Sequence, residues 1–336
     1  GCAVAGAALS RLRGRPLGVL SRAVRVDGDA GGAKLVVELP GGRRVETAVI
    51  VGRRSTRGGA PLSTICVSSQ AGCAMACRFC DTGFLSAGTG SSLGIPSWAI
   101  LEQVLHADAF LQREGLARSG CGAKEPLPAN IVFMGMGEPL LNYAAVLDAS
   151  AALCGGPRGR RVTVSTVGVA PRIASLAQSA PPGLRLALSL HAPTQELRLE
   201  LLPVAARTWP LAAVMESLRN FEEATGSGVL LEYILLRGVN DEDSHADALA
   251  ELVRREGLRC AGVNLIPYNP TAAGLAAHYE APSDARCKAF RARLRRAGVP
   301  NVTVRFSTKA GRGLAAACGQ LGLGLNAAGP APRARP

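Results

Sequence analysis

A chain of 336 residues is long enough for one large domain or two of ordinary size. Hydrophobic residues make up 48% of it and the mean hydropathy is +0.18, which supplies a core and excludes a disordered protein. Lysine and arginine outnumber aspartate and glutamate by 38 to 25, a net charge of +13 that favours a polyanionic partner over a mere composition bias. No apolar run of about 18 residues is free of charges or breakers, so a membrane span is excluded.

The N-terminal part divides into two predicted regions. Residues 1–26 form a basic lead with five arginines and no acid, typical either of an organelle transit-peptide remnant or of an RNA-binding arm. Residues 27–62 then form a β-hairpin extension and a linker. Short β-type runs at 34–39 and 44–50 flank Pro40-Gly41-Gly42, which predicts the hairpin turn.

From residue 63 to residue 322 the chain alternates short apolar runs with longer amphipathic stretches. This alternation predicts a parallel sheet, open or closed into a partial barrel, with chemistry at the carboxyl ends of its strands. The predicted strands are 64–68, 130–134, 161–165, 184–190, 230–236, 262–267 and 302–306. The predicted helices are 97–112, 210–225, 244–256 and 283–297. We expect residues 323–336, rich in alanine, proline and arginine, to be disordered.

Three of the ten cysteines lie within eight residues, at Cys73, Cys77 and Cys80, and Cys66 lies just upstream. Three thiolates on one short loop can each hold one iron of a four-iron cluster, leaving the fourth iron open to a substrate. A structural cluster would normally have a fourth cysteine. A zinc site completed by Cys66 is the alternative that the spacing leaves open.

Two further features place small or acidic side chains at predicted strand ends. The turn Gly135–Glu138 follows an apolar run, so that glycines admit a ligand to the backbone and the carboxylate can pair with an ammonium group. Ser165 and Ser189 end two other predicted strands, where hydroxyl groups suit a ribose or carboxylate. Capping of a turn or helix is the alternative for both serines.

The cysteine spacing is that of the radical S-adenosylmethionine (SAM) enzymes, and five blocks resemble the RlmN/Cfr family of RNA adenine methyltransferases. The blocks occur in the family's order within residues 44–322, and they are Cys66–Cys73, Met134–Asn142, Ser189–Pro193, Val263–Pro270 and Ala316–Leu321. The resemblance implies an α/β fold, a partial (β/α)6-type radical SAM barrel with a small N-terminal β-hairpin extension.

The resemblance also implies cofactors and the residues that bind them. It implies one [4Fe–4S] cluster on Cys73, Cys77 and Cys80, and two molecules of SAM per turnover. The residues that correspond to the family's SAM contacts are Gly137, Glu138, Ser165, Ser189, Leu190, His191 and Asn269.

By the same resemblance, Cys318 is methylated by one SAM, and a second SAM is cleaved reductively to a radical. That radical takes hydrogen from the methylcysteine, whose carbon adds to adenine, and Cys66 resolves the adduct by forming a disulfide. Glu46 stands where the family has a proposed general base. Adenine C2 is electrophilic, so a direct polar transfer from SAM is unsuitable and the cofactors must supply radical chemistry.

The expected reaction is formation of 2-methyladenosine in ribosomal RNA and in transfer RNA. Three alternatives stay open: methylation of adenine C8, a radical SAM reaction on another substrate, and a non-catalytic RNA-binding iron–sulfur protein. The expected partners are RNA and an electron donor such as flavodoxin or ferredoxin, with no membrane. Candidate phosphate contacts are Arg78, Arg305, Lys309 and Arg312.

Two expectations concern the whole molecule. We expect a monomer in the cytoplasm, or in a plastid or mitochondrion if the basic lead is a transit-peptide remnant. Members of the family carry an N-terminal helical domain, and the 43 residues before Arg44 are too few for it and the hairpin. The sequence therefore predicts either a truncated chain or a different way of binding RNA.

Overall fold

The computed structural model describes residues 21–29, 32–51, 63–86, 93–114, 118–119, 126–127, 130–155, 159–306 and 319–321. Cys318, Lys309 and Arg312 lie outside the described residues, as do the predicted tail and residues 1–20 of the basic lead.

The described part of the chain contains twelve strands. They are β1 Arg22–Asp29, β2 Gly32–Glu38, β3 Arg44–Val51, β4 Ser63–Cys66, β5 Arg118–Ser119, β6 Pro126–Leu127, β7 Asn130–Phe133, β8 Val162–Thr166, β9 Leu184–Ser189, β10 Leu230–Leu235, β11 Gly262–Pro267 and β12 Val302–Val304. Ten of them form one sheet in the order β1-β2-β3-β4-β7-β8-β9-β10-β11-β12, with antiparallel pairing up to β4 and parallel pairing from β4 onward, and β5 pairs separately with β6.

Helices connect the parallel strands, as right-handed crossover connections require. They are α1 Asp81–Ser86, α2 Ser97–Arg113, α3 Tyr143–Cys154, α4 Ala170–Ser179, α5 Gln195–Leu201, α6 Pro203–Thr208, α7 Leu211–Thr225, α8 Asp243–Arg255, α9 Ala272–Ala276 and α10 Asp284–Arg296. A short 3-10 helix, Pro139–Asn142, precedes α3. Among the described helices, none is long and apolar enough to cross a membrane.

The predicted β-hairpin is confirmed as β2 and β3, and the structure adds β1 on its outer side. Glycine is required at residue 32, where β2 begins, because the neighbouring strand approaches closely. A Cβ atom there would lie 2.3 Å from the carbonyl oxygen of Val49 on the neighbouring strand β3. Because β3 also pairs with β4, the hairpin continues the main sheet rather than forming a separate lobe.

Side chains alternate between the two faces of the sheet, and the two faces differ in chemistry. One face, with Val45, Ile65 and Val164 among its residues, packs under the helices in the main hydrophobic core. We call the opposite face the inner face. It carries polar side chains that alternate with the core residues: Glu46 on β3, Cys66 on β4, Ser165 on β8, Ser189 on β9, Glu232 on β10 and Asn264 on β11.

The predicted fold class is confirmed as α/β with a mostly parallel sheet, and within the described part this sheet stays open between β1 and β12. All seven predicted strands from residue 64 onward occur within three residues of their predicted bounds, and so do the four predicted helices. Short helices such as α5 and α6 were not predicted, because six or seven residues are too few for a helical hydrophobic period to stand out.

The packing of the main hydrophobic core predicts that the substitution Phe221→Ala on α7 destabilises the protein. Phe221 is fully buried among helix residues of the main core. Its truncation should lower the free energy of unfolding by about 3–5 kcal/mol, because it leaves a cavity that the surroundings fill only partly. The measurement is urea denaturation followed by circular dichroism. The control Leu105→Ala, at an exposed position of α2, should change it by less than about 1 kcal/mol.

Candidate active site

The loop that carries the three clustered cysteines runs from residue 73 to residue 80, between β4 and α1, and we call it the cluster loop. A turn closes it, with the Cys80 backbone N–H donating to the Cys77 carbonyl at 3.1 Å. The Arg78 N–H donates to the carbonyl of Leu201 at the end of α5, also at 3.1 Å. The side chain of Phe79 is buried and lies edge-on to the His191 ring, with centroids 5.0 Å apart. These contacts hold the loop against the carboxyl ends of the parallel strands.

The three thiols of the cluster loop are electrostatically disfavoured as free thiolates. Burial raises the pKa of Cys73 to about 12 and raises the pKa of Cys77 and Cys80 as well. The thiolates of neighbouring cysteines raise the pKa of Cys73 and Cys77 further. Three adjacent, partly buried thiolates are stable only when a cationic group binds them, so this donor set fits an iron–sulfur cluster.

A mononuclear metal site is not formed by these residues. Among the described side chains, no three of His, Cys, Asp or Glu converge closely enough to hold one metal ion. The zinc site completed by Cys66, left open by the sequence, is therefore absent from the described geometry. An iron–sulfur cluster binds each cysteine through a different iron, so its ligands need not converge on one point.

The turn Gly135–Glu138 is pressed against the segment that leads into the cluster loop. A Cβ at Gly137, where φ is +98°, would lie 2.5 Å from the Cβ of Gln70. The Glu138 carboxylate accepts hydrogen bonds from the backbone N–H groups of Leu140 at 3.0 Å and Val167 at 2.9 Å. Burial raises its pKa to about 7. Glu138 thus joins the turn after β7 to the end of β8.

The predicted SAM contacts on β8 and β9 lie next to one another on the inner face. The hydroxyl oxygens of Ser165 and Ser189 are 3.2 Å apart. His191 follows in a left-handed conformation with φ of 58°, and its Nδ1 accepts the Ile234 N–H at 3.0 Å. Burial, with a smaller effect of Arg198, lowers the pKa of His191 to about 3, so its ring is neutral at physiological pH.

Two buried residues that the sequence analysis did not single out hold these strand ends in place. Arg198 of α5 is fully buried, and its guanidinium donates to the carbonyls of Leu190 at 2.6 Å and Val167 at 2.9 Å. Asn240 donates to the His191 carbonyl at 2.9 Å. The helix α5 has only seven residues, which are too few for its sequence to show which face is buried. The sequence therefore shows no sign that Arg198 is a buried residue.

The residues directly after Cys318 dock onto the cluster loop. The N–H of Asp81, next to Cys80, donates to the Gly319 carbonyl at 2.9 Å. The Thr82 hydroxyl donates to the Leu321 carbonyl at 2.8 Å. The Gln320 amide donates to the Pro270 carbonyl at 2.8 Å, beside the predicted SAM contact Asn269, which is itself buried. The structure thereby brings the 319–321 segment, the cluster loop and the loop after β11 together.

Cys66 and Glu46 share the inner face on neighbouring strands. Cys66 pairs in register with Ala48 of β3, two residues from Glu46, and both side chains are buried. The carboxylate of Glu46 lies 3.3 Å from the ammonium of Lys34 on β2, which the sequence analysis did not single out. Of the candidate phosphate contacts, Arg78 is exposed on the cluster loop and Arg305 is exposed just after β12.

A polar row on β10–β12 also escaped the sequence analysis. Asn264 donates to Glu232 at 2.8 Å and accepts from the Thr303 hydroxyl at 2.6 Å. Burial raises the pKa of Glu232 to about 7, partly opposed by Arg305 and by the hydrogen bond from Asn264. A signal existed in the sequence, because a glutamate interrupts the otherwise apolar run of residues 230–236.

Comparison with known proteins agrees with this geometry. The model of the radical SAM superfamily matches residues 67–249, which include the cluster loop, the Gly135–Glu138 turn and the ends of β8 and β9. A crystal structure of a radical SAM methyltransferase from Sphaerobacter thermophilus superposes with a TM-score of 0.77 and 35% identity, covering 93% of this chain and 84% of that one. The chain belongs to the radical SAM superfamily.

Within that superfamily, similar proteins carry one family name. The "Probable dual-specificity RNA methyltransferase RlmN" of Frankia alni is 46% identical over 81% of this chain. The protein of that name from Synechococcus sp. (strain RCC307) is 41% identical, covering 94% of this chain and 83% of its own. The "Ribosomal RNA large subunit methyltransferase N" of Nitrosopumilus maritimus is 39% identical over 90% of this chain and 79% of its own. The chain is a member of the RlmN family, and it spans 61% of the length of the Frankia alni relative.

The close approach of Gly137 to Gln70 is tested by comparing the stabilities of two variants, Gly137→Ala and the control Gly183→Ala. Both glycines have a positive φ, but a Cβ at Gly183 would meet no atom within 4 Å. Gly183→Ala should therefore cost only the backbone strain, roughly 1–2 kcal/mol. Gly137→Ala should cost about 1–3 kcal/mol more, because its methyl group overlaps Gln70. Equal urea midpoints for the two variants would contradict the close approach.

The burial of Glu232 predicts a pH dependence of stability. A glutamate whose pKa is raised on folding from 4.5 to about 7 stabilises the protein below the lower value, and this contribution is lost as the pH rises through the higher one. From pH 5 to pH 8 the free energy of unfolding of the wild type should fall by about 2–3 kcal/mol more than that of Glu232→Gln. Urea denaturation at both pH values measures the difference. Parallel losses in the two proteins would show that Glu232 does not titrate in this range.

Proposed function

We propose that this protein is a SAM-dependent RNA methyltransferase that uses radical chemistry to form 2-methyladenosine in ribosomal RNA, and in transfer RNA as a second substrate. The names of its relatives in Frankia alni and Nitrosopumilus maritimus, an RNA methyltransferase and a ribosomal RNA methyltransferase, support the substrate class. The net charge of +13 agrees with an RNA partner.

The observation that carries the proposal is the docking of residues 319–321 on the cluster loop. A radical SAM enzyme acting on another substrate has no need of a C-terminal cysteine beside its cluster. Here the residue joined to Cys318 by a peptide bond, Gly319, accepts a hydrogen bond from Asp81, the residue that follows Cys80. This contact supports Cys318 as the thiol that carries the methyl group. It also argues against a non-catalytic iron–sulfur protein.

The proposed cofactors are a [4Fe–4S] cluster on Cys73, Cys77 and Cys80, and SAM. When bound, they supply a carbon radical by one-electron reduction, which a polar site cannot generate. Gly137, Glu138, Ser165, Ser189, Leu190, His191 and Asn269 are proposed to bind SAM. Since the Glu138 carboxylate oxygens already accept backbone N–H groups, only their remaining lone pairs are open to the SAM ammonium.

We propose that Cys318 holds the methyl carbon and that Cys66 releases the product. Once that carbon is bonded to adenine, the adduct radical must give up one electron, which the iron–sulfur cluster would take back. The Cys66 thiolate then attacks the Cys318 sulfur and the sulfur–carbon bond breaks. The electron pair of that bond stays on the product carbon, which takes a proton, and the two cysteines end as a disulfide. Glu46, on the same sheet face as Cys66, is the proposed base that removes the adenine C2 proton. A cellular dithiol then reduces the disulfide.

The remaining parts of the proposal concern partners. Arg78, exposed on the cluster loop, and Arg305, exposed after β12, are proposed phosphate contacts. Flavodoxin or ferredoxin is the proposed electron donor, the protein is proposed to act as a monomer, and the cytoplasm is its proposed location.

The function is tested in a host deleted for its own adenine-C2 methyltransferase. Expression of this chain should produce 2-methyladenosine in the host RNA, detected by nucleoside mass spectrometry of separated rRNA and tRNA. Cys318→Ala should abolish the product because no other thiol carries the methyl group. Cys66→Ala should also abolish it, with RNA remaining covalently attached to the protein.

The matched control is Cys154→Ala at the end of α3, a free cysteine outside the candidate site, which should leave the product level unchanged. Appearance of 8-methyladenosine would assign the chain to the adenine-C8 reaction. Undiminished product in Cys318→Ala would refute the methylcysteine route. Absence of any methylated adenine from cluster-loaded protein would refute the proposed activity of this chain.

A further inference from the structure

A row of polar side chains crosses the inner face at one level, and the proposed methyl transfer uses only its first member. Ser189, Glu232, Asn264 and Thr303 lie in register on the adjacent strands β9 to β12. The Thr303 hydroxyl donates to Asn264 Oδ1 at 2.6 Å, and Asn264 Nδ2 donates to Glu232 Oε1 at 2.8 Å. These two bonds fix the orientation of the Asn264 amide and leave Oε1 of Glu232 as an acceptor.

The second carboxyl oxygen of Glu232 lacks a hydrogen-bond partner in the described part of the chain. Glu232 is 3% exposed, and its Oε2 has no hydrogen-bond partner among the described residues. A buried polar atom without a partner costs free energy that a ligand can recover by supplying one. The nearest inner-face side chain toward the carboxyl end of β10 is Ile234, which belongs to the same buried hydrophobic cluster as Met75 and Phe79 of the cluster loop. Glu232 itself lies in register beside Ser189, a proposed SAM contact, so the unpartnered oxygen belongs to a strand that borders the candidate site.

The chemical character of Glu232 suits one edge of a purine. Burial raises the pKa of the carboxyl to about 7, so the neutral form predominates below that pH. Because Oε1 accepts from Asn264, the proton of the neutral form lies on Oε2, so the group presents a donor beside an acceptor. The Watson–Crick edge of adenine presents the complementary pair, the N1 acceptor beside the N6 amine donor. Hypoxanthine presents the reversed pair.

The surroundings favour a nucleotide over the adenosine of SAM. The charge of Arg305 is close enough to act on Glu232, and Arg305 itself is exposed after β12, the last strand of the described sheet. A guanidinium pairs with a phosphate. SAM has no phosphate, and its sulfonium is repelled by a nearby guanidinium.

We propose that Glu232, oriented by Asn264 and Thr303, recognises the Watson–Crick edge of the adenine that is to be modified and so selects adenosine among the bases of RNA. Enzymes that act on an extruded base read it by such contacts. The inference deepens the proposed function and rests on it for the identity of the base as the reacting group. Glu232 is then a specificity-determining residue of this site.

The test compares binding of adenosine 5′-monophosphate and inosine 5′-monophosphate to cluster-loaded enzyme saturated with SAM. The two probes share ribose and phosphate and differ in the Watson–Crick edge. The wild type should bind the adenosine probe more tightly by about 10-fold or more, since a matched pair of hydrogen bonds discriminates by this order. Calorimetric titration under anaerobic conditions gives both dissociation constants.

Four variants make the result specific. Glu232→Leu should bind the two probes equally, because it has no polar edge. Glu232→Gln should keep the preference for adenosine within about 3-fold, because its amide again presents a donor beside an acceptor. Thr303→Val, at an exposed position where misfolding is not expected, should reduce the preference by releasing Asn264. The control Glu223→Gln, an exposed acid on α7, should behave as the wild type.

Two outcomes would overturn the inference: equal binding of both probes by the wild type, or an unchanged preference in Glu232→Leu. If Glu232→Leu weakened SAM binding tenfold and left the adenosine preference intact, the recognised nucleoside would be that of SAM and the inference would be wrong. Methylation of RNA is measured in parallel on the same protein. An adenosine preference that depends on Glu232, in an enzyme that makes no methylated adenosine, would refute the proposed function and leave the recognition site standing.

Discussion

The structure depends on the docking of the cluster loop against the carboxyl ends of the parallel strands. Hydrogen bonds from Arg78 to Leu201 and from Thr271 to the Phe79 carbonyl at 3.1 Å attach the loop to α5 and to the segment after β11. The loop holds three partly buried thiols near one another, which is unfavourable for thiolates in the absence of a cation. These contacts therefore determine where the three cysteines, the predicted SAM contacts and the 319–321 segment meet.

A second set of buried polar groups keeps the strand ends from relaxing. A backbone carbonyl at the end of a parallel strand has no sheet partner, and burying it unpaired costs free energy. Arg198 satisfies the carbonyls of Leu190 and Val167, and Glu138 satisfies the Val167 N–H. Burial lowers the pKa of Arg198 only to about 10, so the guanidinium stays charged. Arg198 need not touch a bound ligand, yet it positions the strand ends that carry the proposed SAM contacts.

Much of the fold was predictable because hydrophobic runs and turn residues are local signals. The β2–β3 hairpin followed from Pro40-Gly41-Gly42 between two β-type runs, and long helices such as α7 followed from their period. The strand β1 and the short helix α5 carry too weak a local pattern, and pairing with β2 or burial of Arg198 stabilises them instead. The candidate site was predicted mainly through the family resemblance of the blocks around Cys66, Glu138 and His191.

The sequence by itself determined the fold class, the cluster cysteines and the family, because spacing within one loop and the order of motifs along the chain are visible without coordinates. Only the tertiary structure decided which strands lie side by side and which residues share a face. Glu232, Asn264 and Thr303 are far apart in sequence and become one hydrogen-bonded row through the register of β10, β11 and β12. The contact of Gly319 with Asp81 likewise joins distant segments. Register and burial are properties of the packed sheet, since each depends on residues that no local window contains.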